Sequence, residues 1–202
     1  VQRAMATTET DGTWSPATEI RPPEDADTTG LGAAARLTSV ACTGPGACVA
    51  VGDYTSATSR LPMIATSTDG AWSRAVAVPV DYGSLTGVAC ASPGGCVAVG
   101  KGNNVPMVVK ELAGSWAPPG FIDLPANDGG FGDASLNSVA CTGPSTCVAV
   151  GHYNLSPGAV GGQIIGRAMA TTETGGTWSR ATEISQPGGA DPYPGTGLNS
   201  VA

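Results

Sequence analysis

The sequence predicts an all-β protein built as an array of four-stranded antiparallel units. Three observations carry that expectation. First, an apolar run, a cysteine, a five-residue turn and a second cysteine opening another apolar run recur as SVACTGPGACVAVG from Ser39, GVACASPGGCVAVG from Gly87 and SVACTGPSTCVAVG from Ser138. Second, the copies are 48 and 51 residues apart, with a further 62 to the SVA at Ser200, which is the spacing of blade-like or stacked repeats. Third, 30 Gly and 16 Pro accompany only 12% charged residues, and both recur at fixed places in the repeat, so they mark turns between short strands.

Four strand-like runs fill one repeat. In the first copy strand A is LTSVAC from Leu37, strand B is CVAVGDY from Cys48, strand C is LPMIATST from Leu61 and strand D is AWSRAVAVPV from Ala71. Each is rich in β-branched and small apolar residues and is bounded by Gly, Pro, Asp or Ser. TGPGA joins A to B as a tight turn, and its flanking cysteines stand where facing strands bring side chains within bonding reach. The three identical spacings read as local disulfides, Cys42 with Cys48, Cys90 with Cys96 and Cys141 with Cys147. Such bonds persist in oxidising compartments, so a secreted or extracellular location is expected. A metal centre would need four converging soft ligands, whereas each unit offers two thiols and His152 is the chain's single histidine; no metal is expected.

Strands C and D meet at a second signature, ATSTDGAWS at Ala65, with relatives ATTETDGTWS at Ala6 and ATTETGGTWS at Ala170 and the more eroded KELAGSWA at Lys110. Gly supplies positive φ in this turn and the tryptophan opens strand D as a large apolar plug. Trp14, Trp72, Trp116 and Trp178 therefore read as structural core, the alternative being a platform that stacks sugar rings.

The period and the four strands predict a β-propeller-type array of four-stranded antiparallel blades. About three complete blades are expected, at 37–84, 85–135 and 136–197, with split partial blades at both ends: strands C and D plus a crossover at 1–36, and the first strand of a further blade at 198–202. RAMATTETDGTWSPATEI from Arg3 matches RAMATTETGGTWSRATEI from Arg167 at 16 of 18 positions, closer than neighbouring repeats match, so a higher-order period of three blades is expected. The chain is expected to be a mature product or an excised piece of a longer array, or else a subunit whose copies complete each other's split blade.

At these motifs the chain resembles two groups. The TSTDGAW and TETDGTW hairpins resemble shortened versions of the Asp-box, the S-x-D-x-G-x-T-W turn of sialidases, sortilin-like receptors and photosystem assembly factors. The whole repeat, SVAC-x5-CVAVG followed by GTWS, is similar to arrays in secreted bacterial proteins thought to form β-propellers. The resemblance implies that fold and a structural role for the turn. It implies no catalytic residue, because the sialidase arginine triad and tyrosine nucleophile have no matching motif here.

In such a blade the A-B and C-D turns share one face, and the B-C loops and D-to-A crossovers share the other. A-B turns keep a constant length, whereas B-C loops range from KGNNVP at Lys101 to HYNLSPGAVGGQ at His152. Variable loops on a constant scaffold are where binding is usually carried. The expected ligand face therefore comprises Asp53, Tyr54, Lys101, His152 and Tyr153 after strand B, with Tyr82, Phe121, Asp123, Asp128, Phe131 and Asp133 from the crossovers. Against it stands a plain solvated loop, since Asp53, Lys101 and His152 share a repeat position without sharing chemistry. The acidic stretches EDAD at Glu24 and NDGGFGD at Asn127 offer hard oxygen ligands for calcium but lack EF-hand spacing. Asn154-Leu155-Ser156 is a formal glycosylation sequon followed by Pro157.

Charge and motif content exclude several classes. A net charge of −7 with no basic cluster argues against a nucleic-acid partner, and no apolar run reaches the roughly 20 residues of a membrane helix. No G-x-S-x-G occurs and every cysteine is assigned to a bridge, which leaves nucleophilic catalysis without a motif. The expected function is an extracellular non-catalytic scaffold for binding a glycan or protein, or for surface assembly. A glycan-active hydrolase or lyase and a structural filament subunit are the alternatives.

Overall fold

The computed structural model describes residues 1–30, 32–128, 133–155, 165–185 and 196–202. It is all-β, with no helix among these residues. The first unit is a pair of short ladders: β1 (Met5–Ala6) pairs with β4 (Thr18–Glu19), and β2 (Glu9–Thr10) with β3 (Thr13–Trp14). Three antiparallel meander sheets follow. The first runs β5 (Ala35–Gly44), β6 (Ala47–Thr55), β7 (Arg60–Thr68), β8 (Ala71–Trp72) and β9 (Val76–Ala77). The second runs β10 (Gly83–Ser92), β11 (Gly95–Gly102), β12 (Val105–Leu112), β13 (Ser115–Trp116) and β14 (Gly120–Phe121). The third runs β15 (Ala134–Gly143), β16 (Thr146–Leu155), β17 (Ile165–Thr174), β18 (Thr177–Trp178) and β19 (Thr182–Glu183).

Each sheet is a four-stranded unit whose outermost strand is split, because β8 and β9 both pair with β7, β13 and β14 with β12, and β18 and β19 with β17. This is the A-B-C-D order expected from sequence. The A-B turns carry Pro45, Pro93 and Pro144 at the first central position and a positive φ at the second: 70° at Gly46, 71° at Gly94 and 58° at Ser145. That is type II turn chemistry. The C-D turns have positive φ at both central residues, as in Asp69 at 50° and Gly70 at 80°, the type I′ geometry whose twist suits a two-residue hairpin. All three expected disulfides form between directly opposed residues of strands A and B, each closing a sequence separation of 6.

Strand A is irregular in the same way each time. Its register against strand B shifts between Leu37 and Ser39, between Leu85 and Gly87, and between Leu136 and Ser138, so Thr38, Thr86 and Asn137 each form a β-bulge. The bulge presses the strand A carbonyl onto strand B. A Cβ on Gly52, Gly100 or Gly151 would collide with the carbonyl oxygen of Arg36, Ser84 or Ser135, which explains the glycine that ends every CVAVG motif. The bulge residue then reaches the next sheet. Thr38 Oγ1 donates to Leu85 O at 2.7 Å and Thr86 Oγ1 to Leu136 O at 2.6 Å. Asn137 Nδ2 does the same to Leu198 O at 2.8 Å, which seats the LNSVA at 198–202 beside β15 as β15 sits beside β10.

The core lies between sheets rather than within one. Ile20, Tyr54, Met63 and Ala75 join the first unit to the first sheet; Val51, Ile64, Leu85 and Met107 join the first sheet to the second; Val99, Leu136, Tyr153 and Met169 join the second to the third. Strand B of the first two sheets is therefore covered on both faces, and Val49 to Tyr54 read as an unbroken buried run, whereas β16 alternates, with Val148 exposed. Trp72, Trp116 and Trp178 each pack half-buried against the cluster shared with the preceding unit, whereas Trp14, with no earlier sheet in this sequence, is 66% exposed. The sheets stack in chain order and do not close into a ring.

Two measurements check this account. Thr86→Val keeps the side-chain shape and removes the inter-sheet donor, so urea denaturation should show a loss of about 1 kcal/mol. Replacing Cys90 and Cys96 together with alanine should cost about 2 kcal/mol, the chain-entropy value for so short a loop.

Candidate functional site

The residues expected on the ligand face gather at the end of the sheets where strand B passes to strand C and strand D crosses to the next strand A. They do not form one constellation. Asp53, at the end of β6, is 1% exposed, and its carboxylate accepts from Arg36 Nε at 2.9 Å and ion-pairs with Arg60. A buried carboxylate held between two guanidinium groups is satisfied rather than available. Tyr54 is fully buried, and its hydroxyl donates to the Asp25 carboxylate at 2.8 Å. Tyr153 is its counterpart in the third sheet, with its hydroxyl 2.8 Å from Glu183 Oε2 and 3.0 Å from Asn127 Oδ1. Burial and the adjacent carboxylate raise both phenols, so neither is a ready nucleophile or base.

The crossover residues are spread along the same end. Lys101 Nζ pairs with Asp133 at 3.0 Å. Asp123 stands 3.6 Å from Arg180 in an exposed pair, and the Asp128 amide caps its own loop by donating to Pro125 O. Tyr82 and Phe121 are 42% and 48% exposed, the former on a loop tied to Asn103 and the latter in β14 on the outer strand. Phe131 lies outside the described residues. In the first acidic stretch, Asp25 holds Tyr54 and Asp27 accepts from the Thr29 and Gly30 amides, both at 2.9 Å. Among the described residues no three His, Cys, Asp or Glu side chains converge as metal ligands.

What these elements do bring together is a polar depression around His152. The imidazole is half-buried, with Nδ1 3.5 Å from Asn137 Nδ2. Asn137, His152, Asn154, Gly166 and Asn199 line an open hollow of about 680 Å³. Burial, the largest influence, lowers the histidine's pKa; Asp133 opposes this and Lys101 assists it. A neutral imidazole among carboxamides offers donors and acceptors without net charge.

Asn154 entered the sequence reading only as the start of a glycosylation sequon, and Asn137 and Asn199 were not singled out, although a signal exists. Asn137 and Asn199 occupy the same place in two LNSVA copies, where the earlier repeats have Thr38 and Thr86. Also missed were Glu111 and Glu173, which stand on strand C one residue beyond those paired with Val97 and Val148 and are buried beside the disulfides.

Neither a protein-family model nor a curated protein matches this chain. The likeness to secreted repeat arrays rests on the four-stranded units and the C-x5-C disulfides alone. No helix among the described residues is long and apolar enough to cross a membrane.

The lowered histidine gives a signed pH effect. The unfolded chain takes up a proton near the ordinary histidine value while folded His152 resists it, so its contribution is complete above that value and is lost as pH falls through the depressed folded pKa. Thermal midpoints followed from neutral toward pH 5 should decline less steeply in His152→Gln than in the wild type.

Proposed function

We propose that the chain is part of an extracellular β-propeller-type scaffold that binds without catalysis, and that its ligand is a neutral, hydroxyl-rich molecule such as a surface glycan. The observation that carries this reading is the hollow around His152. Its described lining offers three carboxamides and a neutral imidazole, groups that hydrogen-bond hydroxyls in either direction, and none of that lining is a carboxylate. Glycoside hydrolysis uses a pair of carboxyl groups across the scissile bond, so this lining favours recognition over turnover.

Other features support the same reading. Five carboxylates elsewhere at this end, those of Asp25, Asp53, Asp123, Asp133 and Glu183, are already engaged by Arg36 and Arg60, Lys101, Arg180 or a tyrosine hydroxyl. Three disulfides suit a secreted location. Successive sheets joined strand A to strand A by one repeated hydrogen bond, which Asn137 extends to the segment at 198–202, are compatible with a blade array.

A glycan array probed with the purified protein should show retained ligands whose binding falls about tenfold in Asn154→Ala and His152→Ala, with no release of reducing ends. Turnover of any panel member, abolished by His152→Ala, would replace this reading with the glycan-active enzyme.

A further inference from the structure

The opposite end of the sheets carries a second site, independent of the reading above. In the three sheets strand C places a polar residue directly across from the tryptophan: Ser67 opposite Trp72, Glu111 opposite Trp116 and Glu173 opposite Trp178. The two glutamates are buried, at 8% and 2% exposure, beside Cys96 and Cys147. Their partners differ. Glu173 of the third sheet is ion-paired with Lys110 of the second, whose ammonium also donates to Gly176 O at 2.6 Å. Lys110 thus fills the cleft between those sheets and neutralises the buried acid.

The cleft between the first and second sheets lacks that lysine. Thr66 pairs with Val49 as Lys110 pairs with Val97, so a threonine stands where the ammonium-bearing side chain would begin. Glu111 lines the resulting opening of about 340 Å³ together with Thr66 and Asp69, and none of its lining residues is basic. Glu111 Oε2 is buried with no hydrogen-bond partner. The other support for the carboxyl group is the Cys96 amide, and burial dominates over it to raise the pKa. A buried acceptor without a donor is costly, and a buried carboxylate without a cation more so.

We propose that this cleft is a binding site for a primary ammonium group, carried by a small amine or by a lysine side chain, with Glu111 as its counter-ion. The neighbouring cleft shows the chemistry that the position accepts: an alkyl stem entering between two sheets and an ammonium meeting a buried glutamate and a turn carbonyl. Three N–H donors match the vacant carboxylate oxygen and the hydroxyl of Thr66, whereas a quaternary ammonium offers none.

The Cys96 amide is a local reporter. Titration with n-butylammonium chloride in mildly alkaline buffer, followed by ¹H–¹⁵N correlation spectra, should shift that amide saturably. Tetramethylammonium should not, and Glu111→Gln should weaken the response at least about tenfold. A capped Gly-Lys-Gly peptide run in parallel separates the two sources: a shift with the peptide assigns the site to lysine side chains, and a shift with butylammonium alone assigns it to free amines. Thr66→Lys rebuilds the second cleft in the first. It should raise the thermal midpoint by several degrees and abolish butylammonium binding, and the gain should vanish in Thr66→Lys/Glu111→Gln. Absence of a saturable shift with both probes, a response unchanged in Glu111→Gln, or a gain from Thr66→Lys that persists without Glu111 would overturn the proposal.

Discussion

The bulged residue of strand A is the constraint on which the arrangement of sheets depends. Thr38, Thr86 and Asn137 are displaced from the ladder by a register shift, and that displacement aims their side chains past their own sheet. Each donates to the leucine carbonyl at the start of the neighbouring strand A, a group that would otherwise face a sheet-to-sheet seam. Apolar packing between stacked sheets is non-directional and would tolerate sliding. A hydrogen bond at one fixed position removes that freedom. Gly87 shows how closely the strands approach beneath the clasp, since a Cβ there would stand 3.2 Å from Ser138 Cα, whereas the serines at the same place accept from the facing backbone, as Ser39 Oγ does from the Val88 amide and Ser138 Oγ from the Val201 amide, both at 3.3 Å.

With the seams fixed, the two ends of the stack become chemically different. At one end the crossovers vary, and buried charges are settled locally, as when Arg36 and Arg60 enclose Asp53 within a single sheet. At the other end the turns are constant, and buried glutamates depend on the adjoining sheet for compensation, as Glu173 does on Lys110. A charge whose partner lies across a seam makes that seam specific to its neighbours. A charge whose partner lies in its own sheet leaves the seam interchangeable.

Much of the fold was legible in the sequence because each local rule pointed the same way. Cysteines facing each other across a five-residue tight turn, Gly and Pro within that turn, and a Gly of positive φ between strands C and D are statements about a few bonds, and they need no knowledge of the rest. The candidate site was less legible. In sequence Tyr54 and Tyr153 look like loop residues after strand B, yet both lie within it, near the ends of β6 and β16: β6 is buried on both faces, which erases the period-two alternation there, whereas β16 keeps the alternation and places Tyr153 on the buried side. The middle repeat has Gly102 at the same place, which hides the pattern. Their partners, Asp25 and Glu183, lie 29 and 30 residues away on elements that no short motif links to them. The polar lining around His152 was hidden for a related reason, since Asn137 and Asn199 belong to a motif whose first reading is apolar.

The disulfides have a consequence for biosynthesis. Each bridge joins residues separated by 6 positions within one hairpin, and none ties one sheet to another. Each bond can therefore close as soon as its own hairpin has formed, without waiting for any later part of the chain. Lengthening the array by duplication adds thiols without adding ambiguity, because the correct partner is always the nearest one in time as well as in space. The near-identity of the segments from Arg3 and Arg167 is the kind of repetition that such unambiguous oxidation tolerates.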